Sequence, residues 1–119
     1  MHELSVCQSL IRQAEAVARE HSAEAIVLIR LRVGPLSGVE LPLLERAFTV
    51  ARCGTLAAQA DLVTEALPVR VRCRTCGAET QTLPNRLICG ACGDWHTELV
   101  SGDEMLMIGV ELELEDAHV

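Results

Sequence analysis

Residues 73–93 read CRTCGAETQTLPNRLICGACG, and this stretch decides how the chain is organised. Two residues separate the cysteines within each pair, Cys73 and Cys76, then Cys89 and Cys92, and twelve residues lie between the pairs. A two-residue spacing lets both sulfurs of a knuckle turn toward one ion, and two knuckles supply the four soft ligands of a tetrahedral Zn(II) site. Gly77 and Gly93 follow the pairs, where a tight reversal around a metal needs a residue without a Cβ. Four thiolates close the coordination shell, so this zinc is expected to brace the fold and not to activate water. The stretch holds too few apolar residues to build a core of its own, which makes the metal the expected source of its stability.

Before the cysteines, Leu4, Cys7, Leu10, Ile11, Ala14, Val17 and Ala18 recur at helical spacing and predict an amphipathic helix near the start of the chain. AIVLIRLRVG then sets Val27, Ile29, Leu31 and Val33 against Arg30 and Arg32, the alternation of a strand with one covered face, and GPLSG breaks it. VELPLLERAFTVARCG returns to helical spacing through Leu44, Ala47, Phe48 and Ala51, with Pro42 where a first turn tolerates it and Gly54 beyond the end. ADLVTEALPVRVRC predicts a strand, a joint at Pro68 and a new strand leading into the first knuckle.

After the cysteines, EMLMIGVELELE predicts a long half-solvated strand with Leu106, Ile108, Val110, Leu112 and Leu114 on its covered face. The order helix, strand, helix, strand, cysteine module, strand implies an α+β fold: a small sheet of about three strands with two helices, carrying an inserted zinc-ribbon module. The expected division is residues 1–68 plus 104–119 as the α+β domain and 69–103 as the ribbon.

Composition narrows the function. The chain has 119 residues, a formal net charge of −7, one phenylalanine, one tryptophan and no tyrosine. That charge repels a phosphate backbone, and there is almost no aromatic surface on which bases could stack. No apolar run approaches the ~20 residues of a membrane span, and the start lacks the pattern of a signal peptide, so the expected location is the cytoplasm, with reduced cysteines holding metal. Around the ribbon, Arg70, Arg72, Arg74 and Arg86 form a basic edge that Glu79, Asp94 and Glu98 nearly cancel. Trp95 is expected to pack over a knuckle. Cys7 and Cys53 are expected in or near the core, His21 and His118 on the surface, and His96 has no evident role. No phosphate-cradling GxxxxGK[ST], catalytic triad or open zinc motif is present in the sequence, which disfavours an enzyme.

The opening MHELSVCQSLI on an amphipathic helix, the strand ending VGPLSGVE, the helix LLERAFTVARCGT and the inserted CxxC…CxxC ribbon together resemble the HypA/HybF family. That resemblance spans essentially the whole chain and implies a nickel metallochaperone for maturation of nickel-iron hydrogenase. It implies a nickel-binding α+β domain beside a zinc-ribbon domain, with transient Ni(II) cargo held at Met1, His2 and Glu3 and structural zinc at Cys73, Cys76, Cys89 and Cys92. The implied partners are a nickel-handling maturation GTPase, a hydrogenase large-subunit precursor and proteins of urease maturation, with neither nucleic acid nor membrane. The chemistry of Met-His-Glu agrees: a terminal amine, the amide of His2 and its imidazole form fused chelate rings suited to Ni(II) or Cu(II). The fourth donor is left open between the Glu3 amide, the Glu3 carboxylate and a group from elsewhere.

The competing function is a zinc-ribbon module that contacts nucleic acid or accompanies transcription. A mobility-shift titration at physiological salt is expected to show no submicromolar complex with DNA or RNA. A complex that Arg70→Ala and Arg72→Ala weakened would reinstate this alternative.

Overall fold

The computed structural model describes residues 2–114, His2 by its backbone alone. Met1, the His2 side chain and His118 therefore lie outside the described residues. In chain order the elements are α1 (His2–Glu20), β1 (Ala23–Val33), α2 (Leu41–Ala51), β2 (Asp61–Ala66), β3 (Val69–Cys73), β4 (Glu79–Thr82), β5 (Thr97–Ser101) and β6 (Met105–Leu114). They form two three-stranded sheets, ordered β2-β1-β6 and β4-β3-β5. The expected two helices and small sheet are present, and the last strand lies beside β1 as the alternating tail implied.

Contacts divide the chain into two compact units, one of Met1–Leu31, Val39–Thr64 and Met107–Val119, the other of Arg32–Gly38 and Glu65–Leu106. In the first, α1 buries Cys7, Leu10, Ile11, Ala14 and Ala18, five of the seven residues of its predicted apolar stripe, with Leu4 and Val17 half-buried, and α2 buries Leu44 and Phe48. Ile26, Ile29 and Leu31 of β1 complete a core of almost wholly aliphatic residues. Each Leu, Ile or Phe side chain among them, fully buried, contributes on the order of 1.5–3 kcal/mol. Helix α1 lacks a terminating glycine, and Ser22 takes the left-handed conformation instead (φ 54°).

In the second unit, β3 buries Val69, Val71 and Cys73 and turns Arg70 and Arg72 outward, a strict period of two. It pairs antiparallel with β4 (Val69 opposite Thr82, Arg72 opposite Glu79) and with β5 (Cys73 opposite Thr97), with a register irregularity between Arg70 and Val71. The GPLSG segment docks on the turn before β6: Gly34 N–H donates to the Glu104 carbonyl at 2.8 Å and Leu36 N–H to that of Gly102 at 2.8 Å. A Cβ on Gly34 would sit 2.0 Å from the Gly102 carbonyl oxygen, so only glycine permits this approach.

Two strand faces differ from expectation. On β1 the buried side chain near its start is Ile26, and Val27 is exposed. Ile26 N–H donates to the Leu56 carbonyl in the loop after α2 at 2.9 Å, so the start of β1 is held against that loop. On β6, Leu106, Ile108 and Leu114 are exposed while Met105 and Met107 are half-covered. The alternation marked a strand correctly, but two apolar sets interleave at the start of β6 and pattern could not rank them. Cys53, expected near the core, is exposed at the end of α2, its thiol donating to the Thr49 carbonyl.

Leu44 is fully buried on the α2 face that meets α1. Leu44→Ala is expected to lower stability by about 2–5 kcal/mol in denaturant titrations followed by circular dichroism, with zinc content unchanged. A loss below about 1 kcal/mol would contradict this placement.

Candidate metal centre

The two CxxCG segments fold into the same local shape. In the first, Gly77 N–H donates to the Cys73 carbonyl at 2.9 Å and Cys73 N–H to that of Ala78 at 2.9 Å. In the second, Gly93 N–H donates to the Cys89 carbonyl at 2.9 Å and Cys89 N–H to that of Asp94 at 2.8 Å. Gly77 (φ 78°) and Gly93 (φ 80°) take the left-handed conformation that closes each loop, at almost no cost without a Cβ. Inside each loop two amides aim at the leading sulfur: Thr75 and Cys76 N–H at Cys73 Sγ (3.3 and 3.4 Å), Ala91 and Cys92 N–H at Cys89 Sγ (both 3.3 Å).

These loops bring all four sulfurs within 4.8 Å of one another. Cys73 and Cys92 sulfurs are 3.6 Å apart, as are those of Cys76 and Cys89, and all four cysteines are free thiols. A zinc ion with sulfurs at about 2.3 Å in a tetrahedron spaces them about 3.8 Å apart, so the cage fits that ion. Cys73 and Cys89 are buried, and Cys76 and Cys92 reach the surface.

Amide donors decide which sulfurs ionise first. The Cys76 N–H holds the Cys73 thiol below its usual range, and the Cys92 N–H leads in lowering Cys89 to about 6. Cys92 also accepts a lowering hydrogen bond, from the Asp94 amide, but the Cys73 sulfur, burial and the other two cysteines push it up to about 12. Cys76 has a lowering bond from the Ala78 amide and is likewise raised, by Cys89, burial and Cys73. The clustered sulfurs thus oppose one another's ionisation, and a divalent cation would supply the charge that lets all four become thiolates.

A polar brace ties the knuckles together. Asp94, just past the second, accepts from the Thr75 hydroxyl of the first at 2.5 Å, from the His96 amide at 3.0 Å, and meets His96 Nδ1 at 2.7 Å. The Thr75 bond first, then those from His96, hold the Asp94 carboxyl well below the usual carboxylate range. Sequence reasoning counted Asp94 only as a charge. The available signal was an Asx-type residue directly after CxxCG, a place where a short carboxylate can gather nearby amides.

His96, without a role at first, proves to be part of this brace. Trp95 does not cover a knuckle: it is 72% exposed and stacks on the His96 ring with centroids 3.9 Å apart. Two of the four arginines of the basic edge are paired, Arg72 with Glu79 at 3.2 Å and Arg74 with Glu98 at 3.1 Å.

Of the residues proposed at the chain start, Glu3 is the one whose side chain is described. It sits in the first turn of α1, where its carboxylate accepts a 3.5 Å hydrogen bond from the Glu40 amide. Cys7, one turn on, is pushed up to about 11 by burial and by the Glu3 charge, so it stays a protonated core thiol at neutral pH.

The match to the family model "Hydrogenase/urease nickel incorporation, metallochaperone, hypA" runs over residues 1–112. The chain belongs to the HypA family. The Hydrogenase maturation factor HypA of Nitrosospira multiformis is 46% identical over 112 residues, covering 94% of this chain and 97% of that protein. The factor of the same name from Aquifex aeolicus is 37% identical over 115 residues, covering 97% and 100%. In three dimensions the chain resembles the Ni metallochaperone HypA from Helicobacter pylori, with a TM-score of 0.70, 25% identity and coverage of 95% and 98%. A second HypA solution structure gives a TM-score of 0.74 at 26% identity, covering 97% of this chain and 98% of the other.

Stripping metal from this HypA ribbon with a chelator under reducing conditions is expected to deprotect the amides of Thr75, Cys76, Ala91 and Cys92 in hydrogen exchange, while α1 amides stay protected. Knuckle amides that remained protected after verified metal loss would show that the loops hold without the ion. Trp95 emission should be red-shifted in the metal-loaded protein already, since the ring faces solvent.

Proposed function

We propose that this protein is a nickel carrier that takes Ni(II) at Met1, His2 and Glu3 and passes it on during maturation of nickel-iron hydrogenase. The observation that carries the proposal is the family match, which begins at residue 1 and so includes the Met-His-Glu segment. Nickel is the cargo named for the Helicobacter pylori relative, and its carriage is extended here to this chain. Zinc is assigned to Cys73, Cys76, Cys89 and Cys92, where it supplies the cross-link between the knuckles. Residues 1–68 with 104–119 are assigned to the cargo and residues 69–103 to the zinc.

The start of α1 favours such a site chemically. The helix begins at His2, and the first amides of an α-helix have no intrahelical acceptor. The amides of His2 and Glu3 can therefore exchange a proton for a metal without breaking the helical ladder. Two terms keep the binding reversible. The positive end of the helix disfavours a cation by roughly 0.3–1 kcal/mol, and amide deprotonation makes occupancy fall as pH drops.

In this reading the protein is not an enzyme. It works in the cytoplasm with a maturation GTPase, which supplies the nucleotide chemistry for which this chain has no GxxxxGK[ST], and with the hydrogenase large-subunit precursor. The presence of urease in the family description extends the same hand-over to urease maturation proteins. No nucleic-acid partner is assigned; two of the ribbon's arginines are engaged by Glu79 and Glu98, which supports this. No membrane partner is assigned either, and among the described residues no helix is long and apolar enough to cross a membrane.

His2→Ala is expected to abolish specific nickel binding in calorimetry on zinc-loaded protein with a native amino terminus, leaving zinc content and circular dichroism unchanged. One extra residue before Met1 should also weaken binding, because it converts the terminal amine into an amide. Undiminished nickel affinity in His2→Ala would refute the site.

A further inference from the structure

Helix α2 begins without local help. Its N-cap is Glu40, in extended conformation (φ −93°, ψ 117°), and no side-chain cap hydrogen bond is formed there. The first turn, Leu41, Pro42 and Leu43, contains no acidic residue. In a capping box the third helical residue is a Glu or Gln that reaches back to the N-cap amide. Here that position is Leu43, which cannot. The Glu40 amide instead donates to Glu3 Oε2 at 3.5 Å, so a residue of α1 does for α2 what its own sequence does not.

The same device recurs beyond the other end of α2. Glu15, also on α1, accepts from the Leu56 amide in the following loop at 3.2 Å. Between them the buried Cys7 thiol donates to the Leu44 carbonyl at 3.4 Å. Glu3, Cys7 and Glu15 thus bond the backbone before, within and after α2. Glu3 and Leu4 also line a groove with Leu43, Arg46, Ala47 and Val50, which places the Glu3 side chain on the α2 side of its helix.

From this geometry we infer that the Glu3 carboxylate is a positioning group: it fastens the metal-binding chain end to the start of α2 and is not itself a donor to the nickel. The inference rests on the terminal nickel site proposed above and decides a choice that the sequence left open. Glu3 then offers the metal its backbone amide, while its side chain limits the motion of the turn carrying His2. The carboxylate also offsets the positive ends of both helices, which a carboxylate drawn onto a cation would no longer do as well.

The test compares Glu3→Gln and Glu3→Ala with wild type, each zinc-loaded with a native amino terminus. Gln keeps an oxygen that can accept from the Glu40 amide, and Ala does not. Without nickel, the Glu40 amide resonance should move in Glu3→Ala and stay close to wild type in Glu3→Gln. With Ni(II), Glu3→Gln should bind within about threefold of wild type and Glu3→Ala about tenfold more weakly, the size of one net hydrogen bond. The nickel ligand-field spectrum should be unchanged in both.

Equal loss of affinity in both variants with an altered spectrum would make the carboxylate a donor and overturn the inference. So would a Glu3→Ala protein whose Glu40 resonance and nickel affinity were both unmoved. His2→Ala, run alongside, separates the two levels: if it still binds nickel, the terminal site and the positioning role fall together. If it loses nickel while the Glu3 variants give either contrary result, only the positioning role falls.

Discussion

Four sulfur atoms held within 4.8 Å of one another set the condition on which the ribbon depends. Bringing thiols together is easy, but bringing four thiolates together without a cation is not, because each ionised sulfur raises the charge cost of the next. The chain meets this cost in two layers. Amides inside each loop donate to Cys73 and Cys89, and a divalent ion is left to neutralise what remains. Beyond the sulfurs, Thr75, Asp94 and His96 join the end of one loop to the end of the other, so the knuckles are tied by polar contacts as well as by the metal they would share. Outer contacts of this kind orient metal ligands and tune the site.

The helical unit uses a different economy. It has few large side chains, one phenylalanine in the whole sequence and no tyrosine, so its core is aliphatic and small. Polar contacts from α1 compensate along the length of α2: two carboxylates on backbone amides and one thiol on a carbonyl. Surface ion pairs such as Arg30 with Glu111 add little, since exposed pairs are worth about 0–1 kcal/mol. A carboxylate on an otherwise uncapped helix start contributes more, because it satisfies an amide with no local partner and meets the helix dipole.

The proposed metals differ in the way their tasks require. A closed set of four soft sulfurs, folded into the chain, suits an ion that stays. A nitrogen-rich set at a chain end, dependent on losing amide protons and opposed by a helix dipole, suits an ion that must leave. Placing the second set on the first turn of a long helix gives a carrier some order at a terminus that would otherwise be unrestrained.

What the sequence determined by itself was whatever local spacing controls. The doubled CxxC brought four sulfurs within 4.8 Å of one another because two-residue loops have few ways to close, and the stripe from Cys7 to Ala18 placed α1 because helical spacing repeats along the chain. Pro68 separated β2 from β3 because proline cannot join the ladder. Tertiary structure decided what depends on distant partners. At the start of β1 it buried Ile26, whose backbone bonds a loop 30 residues later in the sequence, and exposed Val27, and Leu106 and Ile108 were exposed where two apolar sets competed for one covered face. Trp95 faced solvent and stacked on His96, beside an Asp94 held across the knuckles by Thr75. Glu3 read in sequence as a metal donor by either its amide or its carboxylate, and only folding brought the Glu40 amide, 37 residues away, to its side chain.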